Sequence, residues 1–280
     1  MRYFLICNFL FVIYIANAQS RSLQIADSLY HEKKFFESSV WYERCIYESE
    51  SNTNIFAAIY GKINCLKSLE KYNDVIEFTS FYINMDFPDS FKRIMIYQQI
   101  FCSYLSGKFE NSISLSTQYK KFFSDKKTLL KIELLKVLSL NQLLKWHEAD
   151  SVLKEFIVQN KLESKLVENL YFNSPHLKSV KKATNLSTFI PGAGLFYCGK
   201  YFEGSVNALL QIGFLALGVH AFINQYYFAS WFVGAGLFAS FHNGGIRRSE
   251  TLVNQYNQNK INHFNEQLKD SLIHFFSTID

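Results

Sequence analysis

Apolar and polar positions in the first half of this chain repeat with a fixed period. Phe35, Tyr72, Phe109 and Trp146 lie 37 positions apart, each preceded by a lysine: Lys34, Lys71, Lys108 and Lys145. Three residues after each aromatic stands Ser38, Val75, Ser112 or Ala149; ten after stands Cys45, Tyr82, Tyr119 or Phe156. Offsets of three and ten are helical, so each unit carries an apolar stripe that it cannot cover alone and must pack on its neighbours. The pattern predicts helix pairs over 21–49, 53–84, 90–123 and 126–160, with a shorter helix near 161–172. Gly107 stands at one predicted inter-helix turn, where positive φ lets one helix hand over to the next.

In the first unit Ile25, Ala26, Leu29, Phe35, Ser38, Tyr42, Cys45 and Ile46 follow the spacing of the tetratricopeptide repeat, and the region 19–172 resembles about four such repeats. The period exceeds the family's usual value of about 34 residues, which implies longer inter-repeat loops. The small residue expected on the first helix becomes Ile63, Ile100 and Val137 in later units, and the terminal proline is matched only approximately, by Pro88. In that family the first helix of each pair lines a concave face. Carried over position by position, the resemblance implies a partner-binding groove built from Asp27, Tyr30, Tyr60, Asn64, Lys67, Tyr97, Phe101, Tyr104 and Asn141. Tyrosine, rigid and apolar with a polar tip, suits the capture of a peptide segment.

The pattern changes abruptly beyond Asn173-Ser174-Pro175. Between Ala183 and Ile246 only Lys200 and Glu203 are charged, and this stretch holds all but two of the chain's 12 glycines. After a linker at 173–187, a glycine-rich module over 188–246 opens with the turn Pro191-Gly192-Ala193-Gly194. Two apolar helices are predicted, Ser205–Ile223 and Phe228–His242, joined tightly at Asn224-Gln225. The first spans about 28 Å of helix, close to a hydrocarbon core of roughly 30 Å; the second reaches it with its aromatic flank. Gly236, Ser240 and Gly244 recur every four residues and predict a flat face for close helix packing. Asn207, Gln211 and His220 are costly in lipid and are expected to face the partner helix. Tyr226, Tyr227 and Trp231 cluster at one end, as interfacial aromatics do. The competing reading is a buried helical pair capping the repeats.

The run Pro191, Gly192, Gly194, Tyr197, Gly199, Gly204 resembles a hairpin module at the end of many exported bacterial proteins. Phe196-Tyr197-Cys198-Gly199 is also similar to the core of the two-transmembrane-segment domain family, without that family's histidine and arginine before the Phe-Tyr pair. Neither resemblance brings an established activity. From 247 to 280, Val253, Tyr256, Phe264, Leu268, Leu272 and Phe275 mark an amphipathic C-terminal helix, whose mixed-sign polar face favours packing on protein over lying on a membrane.

The chain's start adds a compartment. Arg2, the apolar run Phe4–Ile15 and Ala16-Asn17-Ala18 read as a secretory signal peptide, residues 1–18, cleaved after Ala18; a retained signal anchor is the competing reading. Export leaves Cys45, Cys65, Cys102 and Cys198 where disulfides are permitted. A Cys45–Cys65 bridge and two buried free thiols are both open. The flanking Lys178, Lys181, Lys182, Arg247 and Arg248 would by the positive-inside rule put the repeats in the cytoplasm, whereas a cleaved signal puts them outside; the signal is taken to decide.

Candidate chemistry is sparse. The net charge of +5 is spread along the repeats, with no basic, aromatic-laced stripe for nucleic acid. His31-Glu32 and His147-Glu148 lie near repeat turns and do not extend to H-E-x-x-H; no cysteine or histidine spacing suggests a metal. Lys200 followed by Tyr201 is not a phosphate-loop ending. No catalytic residue, metal or cofactor is therefore assigned. The sequence is read as all-α: a helical-repeat solenoid, a transmembrane hairpin and a C-terminal amphipathic helix. The functional expectation is a membrane-anchored scaffold in the bacterial cell envelope, its repeats periplasmic, contacting membrane lipid and another protein or peptide segment. The alternative is an integral membrane enzyme or transport component whose hairpin is the active part.

Overall fold

A computed structural model describes residues 21–162, 167 and 169–278; the signal segment Met1–Ala18 lies outside them. Among the described residues all regular structure is helical and there is no strand. The chain divides into two compact units, one running to Glu168 and regaining the chain at Leu272, the other Asn169–Ser271.

The first unit contains α1 (Arg21–His31), α2 (Phe35–Glu48), α3 (Asn52–Ser68), α4 (Tyr72–Ile83), α5 (Asp89–Leu105), α6 (Phe109–Phe122), α7 (Lys126–Gln142) and α8 (Trp146–Asn160). Consecutive helices pack against one another along the unit. The turn inside each pair is built the same way four times. Lys33, Glu70, Gly107 and Leu144 all adopt positive φ, between 57° and 75°. The amide of the following lysine then donates to a carbonyl five residues back: Lys34 to Leu29, Lys71 to Leu66, Lys108 to Ser103 and Lys145 to Leu140, at 2.8–2.9 Å. This is the Schellman closure, which satisfies helix-end carbonyls that have no partner within the helix. Glycine takes the left-handed position in one turn; in the other three an L side chain does so at about 1–2 kcal/mol.

Burial follows the period. Ala26, Ile63, Ile100 and Val137, one per pair, are fully buried, as are Ser38, Val75, Ser112 and Ala149 on the second helices. Cys45, Tyr82, Tyr119 and Phe156 are buried too. Each large aliphatic side chain so covered contributes roughly 1.5–3 kcal/mol, which explains why helices of only 11–17 residues persist. The four thiols are free, and Cys65 donates to Ser38 Oγ at 3.3 Å.

The second unit contains α9 (Val180–Phe189), α10 (Ala193–Tyr197), α11 (Tyr201–Ile223), a short α12 (Tyr227–Ala229), a π-helical segment (Ser230–Leu237) and most of α13 (Phe238–Ser277). Gln225, at φ 67°, makes the tight connection between α11 and α12. Several expectations need correction. The expected linker, 173–187, contains most of α9. The second arm of the hairpin does not stop at His242, and the C-terminal helix does not begin afresh at 247: α13 runs unbroken through Gly244-Gly245 and Arg247-Arg248. Its last residues, from Leu272, belong to the first unit, where Phe276 stacks on Phe156 at 5.4 Å. Of the short helix near 161–172, part lies outside the described residues, and 169–173 form turns.

Among the described residues α11 is the one helix long and apolar enough to cross a membrane, and little of it is buried. Its 23 residues extend about 35 Å. The second arm is not a single α-helix of that kind, being divided among α12, the π-helical segment and α13.

Candidate functional sites

The hairpin motif residues converge in the second unit. Gly192 adopts φ 80°, and a Cβ there would strike the carbonyl oxygen of Gly204. A Cβ on Gly194 would meet Ser187 Oγ and the Ala183 carbonyl on α9, and would lie 3.0 Å from Ser249 Cβ on α13. Gly204 faces the ring of Phe196. The glycines are therefore places where α9, α10, α11 and α13 approach too closely for any side chain. Gly199 differs: its surroundings are open, and its φ of 84° serves the turn into α11.

Tyr197 holds the segment before α9 in place. Its hydroxyl accepts from the Ser179 amide at 3.2 Å, and its carbonyl accepts from Lys178 Nζ at 3.0 Å. The Lys178 and Lys182 ammonium groups stand 5.5 and 5.4 Å from its ring centroid, within range of a cation–π attraction. Asn257 on α13 closes the arrangement, donating to the Lys178 carbonyl and accepting from its amide, both at 2.8 Å. The motif thus forms a rigid joint at one end of α11.

Where α11 meets α13, Gln211 is almost wholly buried; it donates to Asn207 Oδ1 at 2.6 Å and its own Oε1 lies 3.1 Å from His242 Nδ1. Asn207 donates to the Phe241 carbonyl at 3.3 Å. Asn207 and Gln211 therefore face the partner arm as expected. His220 does not: it is exposed and pairs with Asn224 one turn on. The close-packing glycines are also not the expected ones. Gly218 and Gly234 meet backbone to backbone, a Cβ on Gly218 lying 2.5 Å from Gly234 Cα, whereas Gly236, Ser240 and Gly244 are all exposed. The face that turns inward also runs at four-residue spacing, from Gly234 through Phe238 to His242, two residues out of phase with the expected one.

The proposed groove residues sit on α1, α3, α5 and α7. Tyr97 stacks on Phe101 at 6.3 Å, and Lys67 donates to Gln98 Oε1 at 2.9 Å while lying 6.0 Å from the Phe101 ring. Tyr60 is exposed, and Asn64 is half-buried on the same helix. Burial lowers the Lys67 ammonium and raises the Tyr97 phenol, the neighbouring Tyr60 adding to the latter. The outer members are engaged within their own pairs. Asp27 accepts from Tyr42 Oη at 2.6 Å; Tyr30 and Tyr104 pack on Phe35 and Phe109 at 5.4 and 5.8 Å; Asn141 is buried. The exposed members of the set are thus Asp27 and Tyr60, with Lys67 and Tyr97 half-buried beside Tyr60 on the central helices.

Two features had no counterpart in the sequence reading. Gly61 on α3 lies under the ring of Tyr42, a contact no short-range pattern reveals. Glu133 is buried at the repeat position that Ile59 fills elsewhere, and its carboxylate is held by Lys120 of α6 at 3.0 Å; only its offset of two periods from Ile59 could have pointed to it. Among the described residues no group of three or more His, Cys, Asp or Glu side chains gathers as a metal site would require. Comparison with protein-family models, curated proteins and solved structures finds no match to this chain.

Proposed function

We propose that this protein is a membrane-anchored scaffold of the bacterial cell envelope, in which a tetratricopeptide-like solenoid captures a protein or peptide segment and a two-armed hairpin holds it to the bilayer. The observation that carries the anchoring half is the inside-out hairpin. Leu209, Ile212, Leu217, Phe222, Phe228 and Phe232 are each 56–84% exposed, while Gln211 is turned inward and hydrogen-bonded. In water that arrangement would leave a broad apolar surface wet; in lipid it is the favourable one, because polar groups find partners inside and apolar groups face the chains. Tyr226, Tyr227 and Trp231, 59–70% exposed at the loop end, suit the headgroup level.

The scaffold half is supported by the fourfold recurrence of the same turn at the same period, the architecture of stacked repeats. Its central residues, exposed Tyr60 and the half-buried Tyr97–Phe101 stack beside Lys67, combine rigid aromatic area with a cation. Export by cleavage after Ala18, with the repeats periplasmic, completes the proposal. The test has two arms. Carbonate extraction of membranes should leave the full chain in the pellet, and release would sink the anchor. Alanine at Tyr60 and Tyr97 should weaken capture of a partner by about 2 kcal/mol or more each with unfolding little changed; a large loss of stability instead would assign both to the core.

A further inference from the structure

We infer that α9 is a docking surface for an anionic phospholipid of the membrane in which the hairpin sits. This inference rests on the anchoring half of the proposed function. Two rows of side chains run along the exposed side of α9 at four-residue spacing. One passes from Lys181 through Asn185 to Phe189, the other from Lys182 through Leu186 to Ile190. Each begins with an ammonium group and ends apolar, over about 12 Å of helix. The rows line an open groove of about 410 Å³. The opposite face of α9 is not available, because Ala183 and Ser187 are buried and Ser187 Oγ pairs with Ser249 Oγ on α13 at 3.2 Å.

Three observations favour a lipid over another occupant. The apolar end does not stop at α9: Phe189 and Phe202 are each 82% exposed, and the latter begins the apolar surface of α11. Gly192 seats against Gly204, so the end of α9 and the start of α11 are adjacent. Among the described residues no carboxylate pairs with Lys181 or Lys182, and the Tyr197 ring 5.4 Å from Lys182 leaves its charge unneutralised. Of the nearby carboxylates, Glu203 is taken by Arg248, two bonds at 3.0 and 3.3 Å, and α9 itself contains none. Lys200 and Arg247 add exposed positive charge around the same joint. A phosphodiester at the lysines with its acyl chains along Leu186, Phe189 and Ile190 would satisfy both ends at once. An acidic peptide would leave the apolar end uncovered. Basic side chains beside an anionic leaflet each favour binding by about fivefold.

The test uses the full chain in detergent micelles carrying equal, sub-saturating phosphatidylglycerol and phosphatidylcholine, with retained lipid read by native mass spectrometry. The expected result is retention of phosphatidylglycerol about tenfold or more over phosphatidylcholine, falling to near parity in Lys181→Gln/Lys182→Gln. Phe189→Ser should reduce retention of both lipids. Equal retention of the two lipids by the native chain, or an undiminished preference in the double lysine variant, would overturn the proposal. So would a dimer mass abolished by Phe189→Ser, since a second copy would then cover the groove. Reconstitution into pure phosphatidylcholine vesicles separates the two readings: loss of the chain on carbonate washing indicts the anchor, whereas firm insertion without headgroup preference indicts α9 alone.

Discussion

Replacing Gly61 by alanine should destabilise the first unit, although a glycine in mid-helix ordinarily gains about 1 kcal/mol from that change. Gly61 lies within α3, and three ring carbons of Tyr42 stand within 2.7 Å of where its Cβ would be. Ordinary contact begins near 3.4 Å, so the ring must retreat by roughly 1 Å. It has no room to do so, being buried between helices with its hydroxyl tied to Asp27 at 2.6 Å. Overpacking of this kind costs about 1–3 kcal/mol. Dragging the hydroxyl off Asp27 adds about 1.5 kcal/mol, the lower figure for a bond to a charged group because Asp27 is exposed. Against the helical gain, the net loss is about 2.5 kcal/mol. In a Tyr42→Ala background the ring is gone, and Gly61→Ala should then stabilise by about 1 kcal/mol, a coupling of about 3.5 kcal/mol between the two sites. Urea unfolding of the full chain in mild detergent, read through hydrogen exchange of α1–α3 amides, measures all four corners of the cycle. A more stable Gly61→Ala in the otherwise native chain would refute the seating of Tyr42 on Gly61.

Three further outcomes follow from the geometry. Glu70→Gly and Leu144→Gly should each stabilise the first unit by about 1 kcal/mol by relieving a left-handed side chain, and Gly107→Ala should cost about the same; equal melting behaviour across the set would contradict the repeated turn. Gly218→Leu should part the hairpin arms, abolishing cross-linking between cysteines placed on them, whereas Gly236→Leu should leave it intact; the reverse order would restore the small-residue face expected from spacing. Burial pushes the Cys102 thiol up to about 11, so maleimide near neutral pH should label Cys198 and spare Cys102 until unfolding. Because that thiol is raised above its ordinary value of 9.0, its contribution to stability is complete below pH 9.0 and lost as pH climbs toward 11, and Cys102→Ser should blunt that alkaline loss.

The helices of the first unit and the turns that join them were legible because their determinants are local and recur. A lysine–aromatic pair at each turn and buried positions three and ten residues on define a helix pair whichever neighbour it meets, and the structure buries those positions throughout. The turns before α10 and α11 were legible for a similar reason: Gly192 and Gly199 are needed by backbone conformation, which is a property of their own few residues. What the pattern could not decide were contacts between residues distant in the chain. Gly61 looks like any weak point in a helix until Tyr42 is laid across it, and Glu133 looks like a solvated acid until Lys120 of the preceding helix reaches it. Helical phase failed after α12, where Gly234 turns inward and Gly236, Ser240 and Gly244 turn outward. A four-residue spacing fits either face, and only packing against α11, through Gly218 against Gly234 and Gln211 against His242, selected one. Likewise Gly244-Gly245 weakens a helix locally by about 1 kcal/mol per residue, yet α13 runs through both, and Gly245 is where Asn207 packs, its side chain 2.8 Å from a Cβ placed there. Sequence thus determined which segments are helical and which faces must be covered, while the tertiary structure decided which face met which and where a helix was permitted to run on.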